Sequence, residues 1–475
     1  MIGYESGGFH LSTFNNARYR AALVAAAALA ATAMGTASAT AAATGPTAPN
    51  ELFNGYQHCS TNASAPTYLW GGTEGVTLEG IPRDAAAASG TDFGAQYLLW
   101  PVPAPTQTTT YSSYTSFSAG FEAPANVPGG ALTDRTTYAW QARTIIDGST
   151  VSTWSKTCYI AIEDGQPAVP TVTSANYPAG QFEPGGVPVQ VTFGASGDSD
   201  VAGYEYVWDT GTLPVYGVSI GAYGIPEPKS IWADTKYYVK APSLGGDVSL
   251  NLIPPSGWGP HTLTVASINR ADSTSTPVDY QIYVGSTAPT VTTAVASPQF
   301  DTPTKFTFTP NATAEAASPI VSYSVSIGGG TPHVFKAGAN GSATVTLRLN
   351  NVNGNNGVAV TSTSANGWVS DPYEKYYYFN TTPIVNSNEY PEYATSGGVG
   401  VSGTFTLTAQ APNIVSYTYS FDNGATETTV PANAAGNAQF TWAPPTGATS
   451  YDLNVYGTTK DGLQLQYTDY YFSVN

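Results

Sequence analysis

The chain has 475 residues, too many for one hydrophobic core and enough for three or four small domains. Hydrophobic residues make up 41 % and aromatics 12 %, which excludes a disordered chain, while 15 basic against 32 acidic residues give a formal net charge of −17. Phosphates of nucleic acid and anionic lipid headgroups would be repelled, and no basic stripe relieves that, so nucleic acid is excluded as a partner.

Read in chain order, residues 1–39 stand apart. Arg18 and Arg20 precede an apolar, alanine-rich run from Ala21 to about Met34, and Ala37-Ser38-Ala39 then offers small residues two apart. That is the layout of a cleavable signal peptide, which predicts a secreted or extracellular protein, with cell-wall association as a further option. A retained anchor is the alternative. The run is mostly alanine and only marginally apolar for a spanning helix, so no stable membrane anchor is expected after cleavage.

The remainder reads as four copies of one all-β unit, at 48–165, 167–286, 287–381 and 383–475. Thirty-two tyrosines, with many Thr, Val, Gly and Pro, favour strands and turns. The first unit holds both cysteines, Cys59 and Cys158, 99 positions apart. An exported chain would join them in a disulfide, and two free buried thiols are the alternative. Its last hairpin reads YAWQARTIIDGSTVSTWS from Tyr138.

The second unit opens VTSANYP at Val172, and the fourth opens VNSNEYP at Val385, 213 positions later. At the same spacing, Tyr204, Tyr206 and Trp208 of GYEYVWD match Tyr417, Tyr419 and Phe421 of SYTYSFD. The third copy places Tyr323, Val325 and Ile327 94 positions before those of the fourth. Large apolar residues alternating with small polar ones mark a half-buried strand. Closing strands are expected to end at Ile162, Val284, Phe379 and Val474. The last three fall 95 apart and the first gap is 122, so the second unit carries roughly 27 extra residues, placed at about 213–246. A long β-hairpin capping the unit is the plain reading of this insertion. Pro167, Pro289 and Pro383 separate the units, which predicts short stiff linkers and junctions that bury little area.

Units of about 90–120 residues with strands every 8–12 residues suit a two-sheet Greek-key sandwich. The run from Tyr138 through Trp140, Asp147-Gly148, Trp154 and Cys158, with DSDVAGYEY from Asp198 and GPHTLTVASINRA from Gly259, resembles the tandem immunoglobulin-like or fibronectin type III-like units of large secreted actinobacterial proteins. The resemblance implies four such β-sandwich domains behind the signal peptide. It implies no catalytic residues and no cofactor.

Chemistry-bearing residues are sparse. His10 falls in the export segment, and His58, His261 and His333 fall in three different units, so a Ser–His–Asp or Cys–His arrangement is expected to need assembly across unit boundaries. No metal site is expected. The one calcium-ligand candidate is the pair Asp198 and Asp200 in GASGDSDVAGY, although i, i+2 carboxylates in a turn more often bind nearby backbone N–H groups. Aromatic residues in loops are the binding candidates: Trp232, Tyr237 and Tyr238 in the insertion, Trp258 and Trp368 beside glycines. The expected function is a non-enzymatic, monomeric adhesion or binding protein for an extracellular protein or polysaccharide. A passive structural spacer rod is the first alternative, and a carbohydrate-binding accessory protein the second.

Overall fold

The structure, a computed structural model, describes residues 45–215, 218–352 and 354–475. The expected signal peptide, 1–39, lies outside the described residues. All elements below belong to the unit Pro46–Asn475. Among the described residues the chain is nearly all β, and its one α-helix, Ala312–Ala317, has six residues. Asn311 caps that helix, its side-chain oxygen accepting from the N–H groups of Thr313 and Ala314.

The sheets come in pairs, each pair closing on its own hydrophobic cluster. Leu52–Asn54, Gln57–His58, Val76–Gly80 and Ala125–Val127 form one sheet of the first pair. Thr67–Leu69, Cys158–Ile162, Thr137–Ile146, Phe93–Pro101 and Thr109–Ser112 form the other, with Thr150–Val151 pairing onto the end of Thr137–Ile146. Tyr97, Leu78, Val127, Trp140, Cys158 and Ile160 meet between them. The Cys59–Cys158 disulfide ties the two sheets together, with Cα atoms 5.4 Å apart.

The next three pairs share a plan. Three strands make one sheet: Thr171–Ser174, Val189–Gly194 and Val248–Leu252 in the second pair, Thr290–Thr293, Thr304–Thr309 and Ala343–Leu347 in the third, Ile384–Ser387, Gly403–Thr408 and Ala438–Trp442 in the fourth. The facing sheet is built on a central hairpin-like pairing: Val201–Trp208 with Gly259–Asn269, Ile320–Ile327 with Val358–Ser364, Ile414–Ser420 with Ser450–Thr459. The alternating side chains point inward as their period requires. Tyr204, Tyr206 and Trp208 join one cluster, Tyr323, Val325 and Ile327 the next, Tyr417, Tyr419 and Phe421 the last.

Three expectations are corrected. The third closing strand ends at Lys375, short of Phe379, whose ring instead packs edge-on against Phe300 at 5.7 Å. The insertion is no long hairpin. It folds as a two-residue ladder, Ser219–Ile220 with Pro226–Glu227, closed by a 3-10 turn at Ala222–Gly224, then a second 3-10 turn at Ile231–Ala233, and then Tyr238–Lys240, which adds an edge strand to Val201–Trp208. The junctions, finally, are packed rather than bare. Trp368, on the third pair, is fully buried among side chains of the second and donates its Nε1–H to Thr287 Oγ1 at 3.0 Å. Asp371 accepts from Thr287 N at 2.7 Å beside it. Between the first and second pairs, Arg270 reaches Glu163 at 2.8 Å, and its guanidinium covers the Tyr68 ring at 3.9 Å.

Candidate functional site

A cleft of about 930 Å³ lies between the first and second sheet pairs. Local sequence explains each wall. On the first pair, Gly55 and Tyr56 both have positive φ, 55° and 63°, as a two-residue hairpin turn demands. That turn presents Tyr56 to the cleft, and the Tyr56 N–H donates to Glu79 Oε2 at 3.2 Å. Trp70 follows the strand Thr67–Leu69. The next two residues are glycines whose N–H groups both donate to Asp164 Oδ1, at 2.6 and 2.9 Å. A Cβ on Gly72 would stand 2.4 Å from the Trp70 ring, so glycine there lets the indole fold over the turn. Trp70 remains 49 % exposed at the cleft wall.

The opposite wall is the outer face of the second pair's larger sheet. Tyr204 and Tyr206 point into the core, so Glu205 between them points out, beside its cross-strand neighbour Tyr238. The insertion then covers this face. Ile231, Tyr238 and Ile268 form a small apolar cluster with Trp232 and Tyr237 packed on it. Glu205 is therefore only 4 % exposed, although it lines the cleft. Among the described residues no hydrogen bond or ion pair reaches its carboxylate, and burial pushes its pKa up to about 7. Its oxygens keep contact only with the cleft, and a carboxylate largely removed from water and without a partner is costly. Glu74 and Asp272 also line the cleft, burial raising Asp272 to about 6, and among the described residues no Lys, Arg or His lines it.

The sequence-derived binding candidates separate into two groups. Tyr238 lines the cleft but is only 6 % exposed, its hydroxyl donating to the Pro214 carbonyl at 3.2 Å. Trp232 is half-buried, lying flat where Gly203 has no side chain: a Cβ there would approach its ring to 2.6 Å. Tyr237 is half-buried beneath the Lys236 ammonium at 4.7 Å. Trp258 and Trp368 belong to the next junction. Trp258 is 64 % exposed, whereas Trp368 is 0 % exposed and offers no surface for stacking. A side chain on Gly185 or Gly186 would strike the Trp368 ring, at 2.5 and 3.1 Å, so two bare backbone positions make its socket.

The calcium candidate also resolves differently. Asp198 accepts from the Ala168 and Asp200 N–H groups at 2.8 and 2.9 Å, and Asp200 lies 3.5 Å from Arg135 and 3.7 Å from Arg270. Backbone donors and guanidinium groups occupy these oxygens, and two arginines would repel a divalent cation. No group of three or more His, Cys, Asp or Glu able to hold a metal occurs among the described residues.

Sequence reading missed Glu205 and Trp70. Each carried a faint signal: a glutamate at an outward position of an otherwise apolar strand, and a tryptophan before Gly-Gly. A second hollow, of about 450 Å³ on the outer face of the fourth pair, is lined by Asp452, Asp469, Asn454, Tyr456 and Tyr467, and was also missed. His261 and Asp209 form a close pair at 2.8 Å, but His261 Nε2 is buried without a partner, so no nucleophile stands where the imidazole could act on it.

No family model matches this chain, and no curated protein matches it. Among solved structures it is similar to the crystal structure of a tetra-tandem repeat in the extending region of a large adhesion protein. The identity is 14 % and the TM-score 0.21, over 89 % of this chain and 99 % of that one. It is also similar to Salmonella alpha-2-macroglobulin reacted with methylamine, at 10 % identity and a TM-score of 0.22, over 90 % of this chain and 33 % of that one.

Proposed function

We propose that this chain is a secreted, monomeric, non-catalytic recognition or adhesion protein, exported by a signal peptide over residues 1–39 and built of four tandem immunoglobulin-like or fibronectin type III-like sandwiches. The sheet plan of the last three pairs supports the fibronectin-type assignment. In the third pair the first, second and fifth strands form one sheet, and the other four form its partner. The observation that carries a binding role is the cleft between the first two pairs, where an exposed tryptophan and a buried, unpartnered carboxylate face the same space. A passive spacer has no use for a desolvated carboxylate, which costs stability wherever it is left unpaired. A non-enzymatic role is supported by the scattered histidines and by the buried Nε2 of the one histidine that meets a carboxylate.

The test is retention of the purified secreted chain on two panels: immobilised extracellular-matrix proteins (collagen, fibronectin, laminin) and insoluble cell-wall polysaccharides (cellulose, chitin, peptidoglycan). Retention on at least one surface, weakened at least tenfold by Trp70→Ala, is expected. Retention that survives the substitution, or none on either panel, would leave the spacer reading in its place.

A further inference from the structure

The geometry points to a cationic ligand for the cleft: a lysine side chain of a partner polypeptide, whose ammonium pairs with Glu205 while its methylene stem lies along the apolar walls. The inference rests on the cleft being the binding site and goes one step further, to what the site selects.

Three features choose the ligand. The first is charge. Glu205, Glu74 and Asp272 face the cleft and, among the described residues, no basic side chain does, so its acidic groups are uncompensated. Arg270, in the same junction, is committed to Glu163 at 2.8 Å. The second is the state of Glu205. Its carboxylate is 4 % exposed and unpartnered among the described residues, so an arriving ammonium supplies the partner that the fold withholds. An ion pair in a partly desolvated cleft is stronger than the same pair in water, and the carboxylate has already lost part of its hydration in the free protein. The third is the lining. Leu69, Leu213, Pro214, Ile231 and Ile268 suit four methylenes, and the Trp70 and Tyr56 rings offer faces that attract a cation in transit. The lining hydroxyls and the amides of Gln57 and Asn126 could also bond a saccharide, so the choice of a cation rests on the uncompensated carboxylates, and the sugar probes below test the alternative.

Proton linkage follows. The carboxyl, held partly protonated by burial near neutral pH, must ionise to pair with the ammonium, so binding releases a proton. The other titratable groups lining the cleft are Tyr56, Tyr68, Glu74, Tyr238 and Asp272.

The experiment is isothermal titration calorimetry of the full secreted chain with four probes: a capped pentalysine peptide, its fully Nε-acetylated form, a glucosamine pentamer and an N-acetylglucosamine pentamer. Each is measured at pH 5.5 and 7.5, and in two buffers of different ionisation enthalpy. Pentalysine should bind and its acetylated form should not, more tightly at pH 7.5 and with proton release near pH 7. Glu205→Gln should weaken pentalysine at least tenfold and abolish the proton release, while Glu427→Gln, a carboxylate of the fourth pair, should change neither. Equal binding by Glu205→Gln would mean adsorption to an acidic surface and would overturn the inference. Binding of either sugar pentamer in place of pentalysine, lost in Trp70→Ala, would overturn the inference yet keep the cleft as the site. Failure of all four probes would overturn the lysine assignment, and the protein and polysaccharide panels would then decide separately whether the cleft binds anything.

Discussion

At the scale of single residues, tyrosine does the work that a larger hydrophobic core would do elsewhere. Tyr97, Tyr204, Tyr323 and Tyr417 occupy corresponding places in the four sheet pairs, each with its ring in the core and its hydroxyl donating to a backbone carbonyl of a later loop. The acceptors are Ala123, Gly246, Gly341 and Gly436, at 2.5, 3.1, 2.6 and 2.7 Å. A small sandwich buries little area, so a side chain that fills the core and also pins a loop stabilises two things at once. Burial drives the Tyr417 hydroxyl up to about 12, so it stays a donor across the physiological range. Tyr417→Phe keeps the ring and strands the Gly436 carbonyl. The expected loss is about 1–3 kcal/mol for the fourth pair. Tyr467→Phe, at a position 64 % exposed, should stay within about 0.5 kcal/mol. Chemical denaturation of the two variants in parallel checks this, and equal effects would mean that the hydroxyl bond contributes nothing.

At the scale of elements, the repeats were legible wherever periodicity governs and illegible wherever a loop meets another part of the chain. Tyr204-x-Tyr206-x-Trp208 reads as a core-facing strand because alternation alone settles which face is buried. The same alternation sends Glu205 to solvent, and only the insertion folding over that face makes it a buried group. Trp368 reads as a loop residue beside Gly367, because its socket, Gly185 and Gly186, lies more than 180 positions earlier. A shared serine latch was equally hidden. Ser275 Oγ accepts from Ser267 N, and Ser370 Oγ from Ser362 N, each eight residues back, which closes the hairpin in the second and third pairs. The insertion carries its own test. Gly203 is the gap in Val201–Trp208 through which Trp232 reaches the backbone, and a Cβ there would sit 2.3 Å from the Val239 carbonyl. Gly203→Ala should dislodge Trp232 and the edge strand Tyr238–Lys240 at a cost of roughly 1–3 kcal/mol, as for other overpacked sites. Limited proteolysis should then cut between about 213 and 246 in the variant before it cuts the parent chain, and unchanged cleavage would show that the indole is not seated on that glycine.

At the scale of the whole molecule, the junction between the first and second pairs contains a pH-sensitive contact of its own. Glu79 is fully buried: its Oε2 accepts from the Tyr56 N–H at 3.2 Å, its Oε1 has no hydrogen-bond partner among the described residues, and the charge of the nearby Glu122 bears on it. Burial, reinforced by the Glu122 charge, lifts Glu79 to about 8, and burial raises Glu122 as well. Tyr56 and Tyr97 are the other titratable groups facing the pair, and both are pushed upward, so neither supplies a positive charge. The pair sits where the insertion touches the first sheet pair: Glu122 N donates to the Tyr223 carbonyl at 3.1 Å, and the Phe121 and Tyr223 rings meet edge-on at 4.7 Å. The sign of the linkage is fixed by the direction of the shift. An unfolded glutamate titrates near the ordinary value of about 4.3, so the folded state binds more protons than the unfolded one between there and about 8. Stability is therefore greatest below the unfolded pKa and falls as pH rises through that window, by on the order of a few kcal/mol. The global charge of −17 pushes the same way, because self-repulsion grows as carboxyls ionise. Glu79→Gln separates the two contributions: it keeps the shape and the donor and removes the titration. Thermal unfolding from pH 5 to pH 9 should show the parent chain losing stability steadily, most of all between about pH 5 and 8, and Glu79→Gln following a shallower curve that crosses above it on the alkaline side. Parallel curves would place the pH dependence in other groups, the surface charge and the raised Glu205 among them, and Glu79 would then be an ordinary buried contact rather than the element that loosens this junction as protons leave.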